Sequence, residues 1–325
     1  MIKNYKKKFS EHDIIYKYFK KLNFNKKETF DYKNDGAILK QKLTKDLVVT
    51  NDTILESIDF FKEDSPESIA QKIITYNLSD ISSLGAIPYA YTLSLSIPNK
   101  TNLLWIKKFS NKLLRLQKKY NFFLIGGDIS KSRQICISAN FYGYVNKNQI
   151  IKRETSKIND SIWITGCLGE SRIGLLLKQK KLLLNKSLRE YYINKYLFPK
   201  PCMIGSKIIK FCNSGIDISD GFLGDLSKLL TNNLGAELLS SKLPFSKNTS
   251  QLIRNEIIDP KLLLNSGDDY EIIFTAPSNY DCMINGISKK NNLKISKVGR
   301  IINKYGIFLD GKKLLKSNNS FQYFF

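Results

Sequence analysis

The chain has 325 residues, 42% hydrophobic and 25% charged, which is enough apolar material for more than one core and too much for a disordered chain. Its formal charge of +23 invites a polyanion, but the lysines are scattered, many as doublets such as Lys20-Lys21, with no arginine-rich arm or zinc-finger spacing, so no nucleic-acid partner is expected. No apolar run approaches the roughly 18 residues of a membrane span, no apolar segment follows the basic N-terminus, and the five cysteines form no CxxC pair, so the expectation is a cytoplasmic protein with reduced thiols and no membrane partner.

Residues 10–22 read as an amphipathic helix, with Ile14, Ile15, Tyr18, Phe19 and Leu22 near a 3.6-residue period behind a Ser10 cap. Short strands are predicted at 37–39 and 47–50. A long helix is predicted over 65–84, with Pro66 just inside its start. A strand follows at 91–97, an amphipathic helix at 105–120, and strands at 122–125 and 135–145. The polar stretch 146–159 then separates a second unit, with strands at 161–165, 216–218, 270–275, 297–301 and 306–309 and helices at 171–178 and 223–230. The fold class is α/β (α+β), divided into residues 1–150 and 151–325.

In so basic a chain the carboxylates stand out by their setting. An apolar strand ends and Asp appears beside Gly, Ser, Thr or Asn: Asn34-Asp35-Gly36, Thr50-Asn51-Asp52-Thr53, Asn77-Leu78-Ser79-Asp80, Gly126-Gly127-Asp128 and Asp217-Ile218-Ser219-Asp220-Gly221. Gly267-Asp268-Asp269 is similar but precedes its strand. Any one of these is explained as a helix cap or turn. Their recurrence points to a carboxylate-rich metal and phosphate site, because Mg²⁺ takes hard oxygen ligands and strand ends gather ligand sites in α/β domains.

Other phosphate machinery is missing. There is no GxxxxGK[ST] and no HRD or DFG set. Gly166, Gly169 and Gly174 follow a strand without forming GxGxxG, and a close strand-to-helix turn explains them as well as phosphate binding does. The only histidine is His12, beside no obvious nucleophile, so a Ser-His or Cys-His hydrolase is not expected.

From about residue 10 to residue 324, the chain resembles the thiamine-monophosphate kinase family of the aminoimidazole-ribotide-synthetase-like superfamily. Residues 77–88 are similar to its NLSD-x₃-[ML]-GA-x-P helix. Leu124-Ile125-Gly126-Gly127-Asp128 resembles its GGD segment, Asp217 to Phe222 its D-[LI]-SDG-L turn, and Gly267 to Glu271 its GEDYEL. The resemblance implies a homodimer in which the N-terminal α/β sheet pairs with its copy, and an α+β C-terminal domain. It implies ATP as co-substrate, thiamine monophosphate as acceptor and several Mg²⁺ ions.

Residue by residue, it implies metal ligands at Asp35, Thr50, Asn51, Asp52, Asp80, Asp128, Asp217 and Asp220, with Asp52 and Asp220 catalytic. It implies ATP contacts at Gly127, Asp128, Arg153 and Ser219, and substrate-pocket positions at Asp59, Asp268 and Phe321. Asp59 stands where the family has a substrate-contacting histidine, Asp268 where it has glutamate, and Asn34 where it has aspartate. The alternatives are another ATP-using member of the superfamily, of the aminoimidazole-ribotide-synthetase kind, and a nucleotide-binding relic without turnover.

Overall fold

The structure, a computed structural model, describes residues 10–32, 36–231 and 233–314. The chain divides into two compact units. One takes the described residues up to Leu43, with Val49–Asn77 and Pro88–Gly143. The other takes Thr44–Val48, Leu78–Ile87 and the described residues from Tyr144 on.

The N-terminal region opens with α1 (Glu11–Ile14), a π-helical turn (Ile15–Phe19) and a 3₁₀ turn (Lys20–Asn23). The predicted helix over 10–22 is therefore helical but irregular. β1 (Lys45–Leu55), β2 (Ile87–Ile97), β3 (Phe123–Lys131) and β4 (Cys136–Asn146) form a sheet of order β1-β4-β2-β3, accompanied by α2 (Pro66–Ser83) and α3 (Leu103–Tyr120). α3 forms because Ile106, Phe109, Leu113 and Leu116 recur at helical spacing and are buried, while Asn102 accepts the Leu104 amide at 2.8 Å as its cap. Tyr91 fills the centre of this unit, stacked on Phe141 at 4.9 Å and edge-on to Phe122 at 5.4 Å. The segment 37–39, predicted as a strand, is not one. Ala37 and Leu39 instead pack against Ala90, Phe123 and Ile125.

The second unit holds the other sheet, with β5 (Ser161–Thr165), β6 (Ser214–Asp217), β7 (Gly235–Leu238), β8 (Ile272–Ala276), β9 (Ile295–Ile302), β10 (Gly306–Leu309) and β11 (Lys312–Lys313) in the order β11-β10-β7-β9-β5-β8-β6. β5 and β8 are covered on both faces and buried along their whole length, as apolar runs without alternation. Ile162 and Ile164 of β5 enter one core with Ile216, Phe222, Ile273 and Val298, while Trp163 enters the other with Ile272, Phe274 and Ile284.

Its helices are α4 (Glu170–Lys178), α5 (Lys186–Leu197), α6 (Gly205–Ile208), α7 (Phe222–Ser227), α8 (Lys247–Arg254), α9 (Pro260–Leu264) and α10 (Asp281–Lys290). α5, α6, α8, α9, α10, β7 and β11 were not predicted. α5 buries tyrosines, Tyr192 and Tyr196, in place of an aliphatic stripe, and α10 carries Gly286 within its run. α4 and α5 pack so closely that a Cβ added at Gly174 would overlap the Tyr192 carbonyl oxygen. Gly174→Ala is expected to lower stability by about 2 kcal/mol, read as the urea midpoint; an unchanged midpoint would contradict this packing.

Candidate functional site

In the first unit, the period-two geometry of β1 sorts the segment 50–53 onto two faces. Thr50 and Asp52 point to the half-buried side, where Thr50 Oγ1 donates to Asn77 Oδ1 at 3.3 Å. Asn51 and Thr53 point the other way. Asn51 donates to Asn140 Oδ1 at 2.9 Å and to the Ala139 carbonyl at 3.2 Å, and Thr53 bonds Ser138 at 2.9 Å. The Asn51 side chain is thus on the opposite face from Asp52.

Asp52 Oδ2 is shut away from solvent with no hydrogen-bond partner among the described residues. Burial, reinforced by the negative charge of Asp59, pushes its pKa up to about 6. Asp59 turns its carboxylate back on its own loop, where Oδ2 accepts the Leu55 amide at 2.7 Å, and the buried Lys72 ammonium donates to the Asp59 carbonyl at 2.8 Å.

Asp52 and Asp128 were expected just beyond strand ends. Both lie inside strands, β1 and β3, because each strand runs on through the polar segment. Asp80 lies within α2, the helix predicted over 65–84. In β3, Gly127 pairs with Leu93 of β2, and a Cβ there would overlap the Leu93 carbonyl oxygen, so this position requires glycine. The exposed Asp128 and Gly127 border a cavity of about 520 Å³ within the first unit, walled by Tyr16, Phe19, Tyr32 and Tyr142.

In the second unit, two loops are laid side by side beyond the β6–β8 pair. Ile218 N–H donates to the Glu271 carbonyl at 2.7 Å, Tyr270 N–H to Ile218 at 2.9 Å, and Asp268 N–H to Ser219 at 3.0 Å. Gly267 lies against Ser219 so closely that a Cβ would overlap its carbonyl oxygen. This brings Asp217, Ser219 and Asp220 beside Asp268, Asp269 and Glu271. The Asp217 carboxylate is buried and accepts Ser79 Oγ at 2.8 Å. Asp268, at φ 67, accepts the Tyr270 hydroxyl at 2.7 Å.

The turn itself is gripped by a residue that the sequence reading did not single out. Asp225, in the first turn of α7, accepts the backbone amides of Ser219, Asp220 and Gly221 on a single oxygen at 3.1, 3.0 and 3.1 Å. Its other oxygen takes Lys228 Nζ at 2.7 Å, and Lys228 also pairs with Asp220 at 2.6 Å. Burial pushes the Asp225 carboxyl up, opposed by its bond to Lys228.

Three successive amides aimed at one point would make a natural anion nest. Here that nest is filled from within, and what the turn leaves partly exposed is the Asp220 carboxylate with its Lys228 partner. The glycine-containing turn before α4 is closed in the same way, because Gly169 N–H donates to both oxygens of Asp269 at 3.0 and 2.9 Å. The signal for Asp225 was present in the sequence as an acid in the first turn of a helix that follows a Gly-containing turn.

Arg153 is exposed in the loop after β4. Asp35 and Phe321 lie outside the described residues. Among the described residues no three His, Cys, Asp or Glu side chains converge as a ready metal cage. Mg²⁺ does not require one, being held by one or two carboxylates with the rest of its shell from water and phosphate. Asp52 Oδ2, a buried carboxylate oxygen without a partner among the described residues, and the two carboxylates of the Asp217–Asp220 turn fit that demand by their donor chemistry.

Comparison with known proteins adds the following. The family model "AIR synthase related protein, N-terminal domain" matches residues 33–145. The chain is 35% identical to the thiamine-monophosphate kinase of Buchnera aphidicola subsp. Acyrthosiphon pisum, over 98% of this chain and 99% of that protein. A crystal structure of thiamine-monophosphate kinase from Stenotrophomonas maltophilia K279a is similar with a TM-score of 0.78 at 28% identity, covering 87% of this chain and 90% of that one. A structure of AaThiL complexed with AMPPCP and TMP is similar with a TM-score of 0.74 at 28% identity, covering 86% and 88%.

Glu271 lies behind the turn and accepts Thr165 Oγ1 at 2.5 Å, and burial pushes its pKa up to about 7. The folded chain then holds this proton more tightly than the unfolded chain, so stability falls as pH rises from about 4.5 to about 7. Glu271→Gln is expected to remove that slope and to be more stable than the parent at pH 8, by about 2 kcal/mol after allowance for partial exposure. Equal pH slopes in urea melts of the two proteins would contradict the assignment.

Proposed function

The chain belongs to the thiamine-monophosphate kinase family, and we propose that it transfers the γ-phosphoryl group of ATP directly to the phosphate of thiamine monophosphate, giving thiamine diphosphate and ADP. The observation that carries this reading is the likeness to such kinases along nearly the whole chain. ATP enters as co-substrate; Mg²⁺, a homodimer paired through the four-stranded sheet, and the cytoplasm are further parts of the proposal.

The acceptor's chemistry suits a chain with one histidine. A phosphate monoester has a second pKa of about 6, by analogy with phosphoserine, so its attacking oxygen is already deprotonated at neutral pH and needs no general base. The obstacle is repulsion between two polyanions, about 1 kcal/mol per pair of unit charges at 4 Å in water and about 4 at an effective dielectric near 20. Bound Mg²⁺ would supply charge neutralisation and alignment of the phosphate oxygens.

This chain's own residues then do the holding. Asp52, Asp80, Asp128, Asp217 and Asp220 are the proposed carboxylate ligands, with Thr50 beside Asp52 and Asp35 outside the described residues. Since the Asn51 side chain faces away from Asp52, its proposed contribution is the backbone carbonyl. The inward-bonded amides of the Ser219–Gly221 turn favour metal-mediated over direct amide binding of phosphate. Gly127, Asp128, Arg153 and Ser219 are the proposed nucleotide contacts. Asp59, Asp268 and Phe321 are the proposed substrate-pocket positions, and Arg153 would add a fixed cation for phosphate oxygens.

ADP and thiamine diphosphate are expected to appear together, only when ATP, Mg²⁺ and thiamine monophosphate are all present. ATP hydrolysis indifferent to thiamine monophosphate would overturn the reaction and favour a sibling activity. Asp52→Asn and Asp220→Asn are each expected to lower turnover at least about a hundredfold, in line with loss of a group that stabilises the transition state, while the circular-dichroism spectrum stays unchanged. Near-normal turnover at saturating Mg²⁺ in either variant would contradict its role.

A further inference from the structure

The turn that carries Asp220 contains its own cation. Lys228, just past the end of α7, reaches back so that Nζ lies 2.6 Å from Asp220 Oδ2 and 2.7 Å from Asp225 Oδ1. The two carboxylates differ sharply. Asp225 is fully buried and its second oxygen is saturated by the amides of Ser219, Asp220 and Gly221. It has no room for another cation and cannot move without dismantling the turn. Asp220 is about a third exposed, at 34%, and Lys228 is 37% exposed. The labile bond of the pair is therefore the one between Lys228 and Asp220.

We propose that Lys228 is a resident counter-ion for Asp220 that must give up this carboxylate before a divalent cation can take it, so that Lys228 sets the divalent-cation affinity of the turn. This rests on the reading of Asp220 as a metal ligand. Lys228 need not enter water when it lets go, because Asp225 Oδ1 keeps it. The second anchor makes release inexpensive and also keeps a positive charge within a few ångströms of the incoming cation, where it opposes binding. In the absence of metal, the same lysine neutralises two carboxylates that would otherwise repel each other across the turn. Lys228 is thus a positioning residue, acting on the metal site through Asp220 rather than on substrate.

The test is direct Mn²⁺ binding to the full-length protein without nucleotide, followed by electron paramagnetic resonance of the free ion, with folding checked by thermal melts. Lys228→Met is expected to bind Mn²⁺ more tightly than the parent, by about two- to fivefold, the scale of a partly exposed ion pair. Lys228→Arg, which keeps the charge, is expected to stay near the parent affinity, whereas a purely structural role for the lysine stem would not distinguish charge from shape in this way. Asp220→Asn is expected to weaken binding. If Asp220→Asn weakens binding but Lys228→Met binds no more tightly, the counter-ion proposal is wrong and the metal reading stands. Unchanged affinity in Asp220→Asn would overturn both. Should Lys228→Met not remain folded, Lys228→Gln, which retains a donor for Asp225, makes the same comparison with the same expected direction.

Discussion

Two turns of the second unit have their backbone amides satisfied by the protein's own carboxylates, and the character of the site follows from that. Asp225 closes the amides of Ser219, Asp220 and Gly221, and Asp269 closes the amide of Gly169. Backbone N–H groups that converge in a turn are strong anion receptors. Occupying them internally removes that function and stiffens the loop. What remains partly exposed is the Asp220 carboxylate, already paired with one cation, Lys228, in a protein whose overall charge is +23. In a P-loop, phosphate is cradled by amides; in the reaction proposed for this chain it would be met through metal ions held on acidic side chains.

This arrangement matches the demands of the proposed reaction. When the acceptor is already an anion, proton transfer is not the difficulty, and charge neutralisation and alignment are. A rigid turn holds Asp217 and Asp220 in fixed positions, and the close contact of Gly267 with Ser219 ties the turn to the loop carrying Asp268. In the first unit Asp52 is prepared differently. Its Oδ2 is enclosed without a partner among the described residues and burial pushes the carboxyl up in pKa, an unsatisfied buried acceptor that a bound cation would satisfy.

Much of the fold is legible in the sequence where one face of an element is aliphatic. α2, α3, β4 and β5 are visible as period and composition. α5 and α8 are not, because α5 buries tyrosines and α8 presents little more than Leu252 and Ile253 to the interior, so no stripe emerges. The strands carrying Asp52 and Asp128 extend through polar segments that looked like strand ends, since pairing with a neighbouring strand outweighs local composition. In the candidate site the acids were legible by their setting beside small and polar residues. The separation of Asn51 from Asp52 was available too, since a two-residue period puts adjacent side chains on opposite faces. The partners were not legible. That Asp225 meets Ser219, Asp220 and Gly221, that Lys228 bridges Asp220 and Asp225, and that Asp269 reaches Gly169 a hundred positions away are matters of which acceptors come within reach once the chain has folded.

The central claim is that this enclosed, acidic turn holds metal rather than phosphate. Anomalous diffraction from crystals grown with Mn²⁺, a non-hydrolysable ATP analogue and thiamine monophosphate tests it directly. The account requires a manganese peak within bonding distance of the Asp217 or Asp220 carboxylate, with the Ser219, Asp220 and Gly221 amides still on Asp225. A phosphate oxygen bound to those amides, with Asp225 displaced and no manganese at the turn, would contradict it.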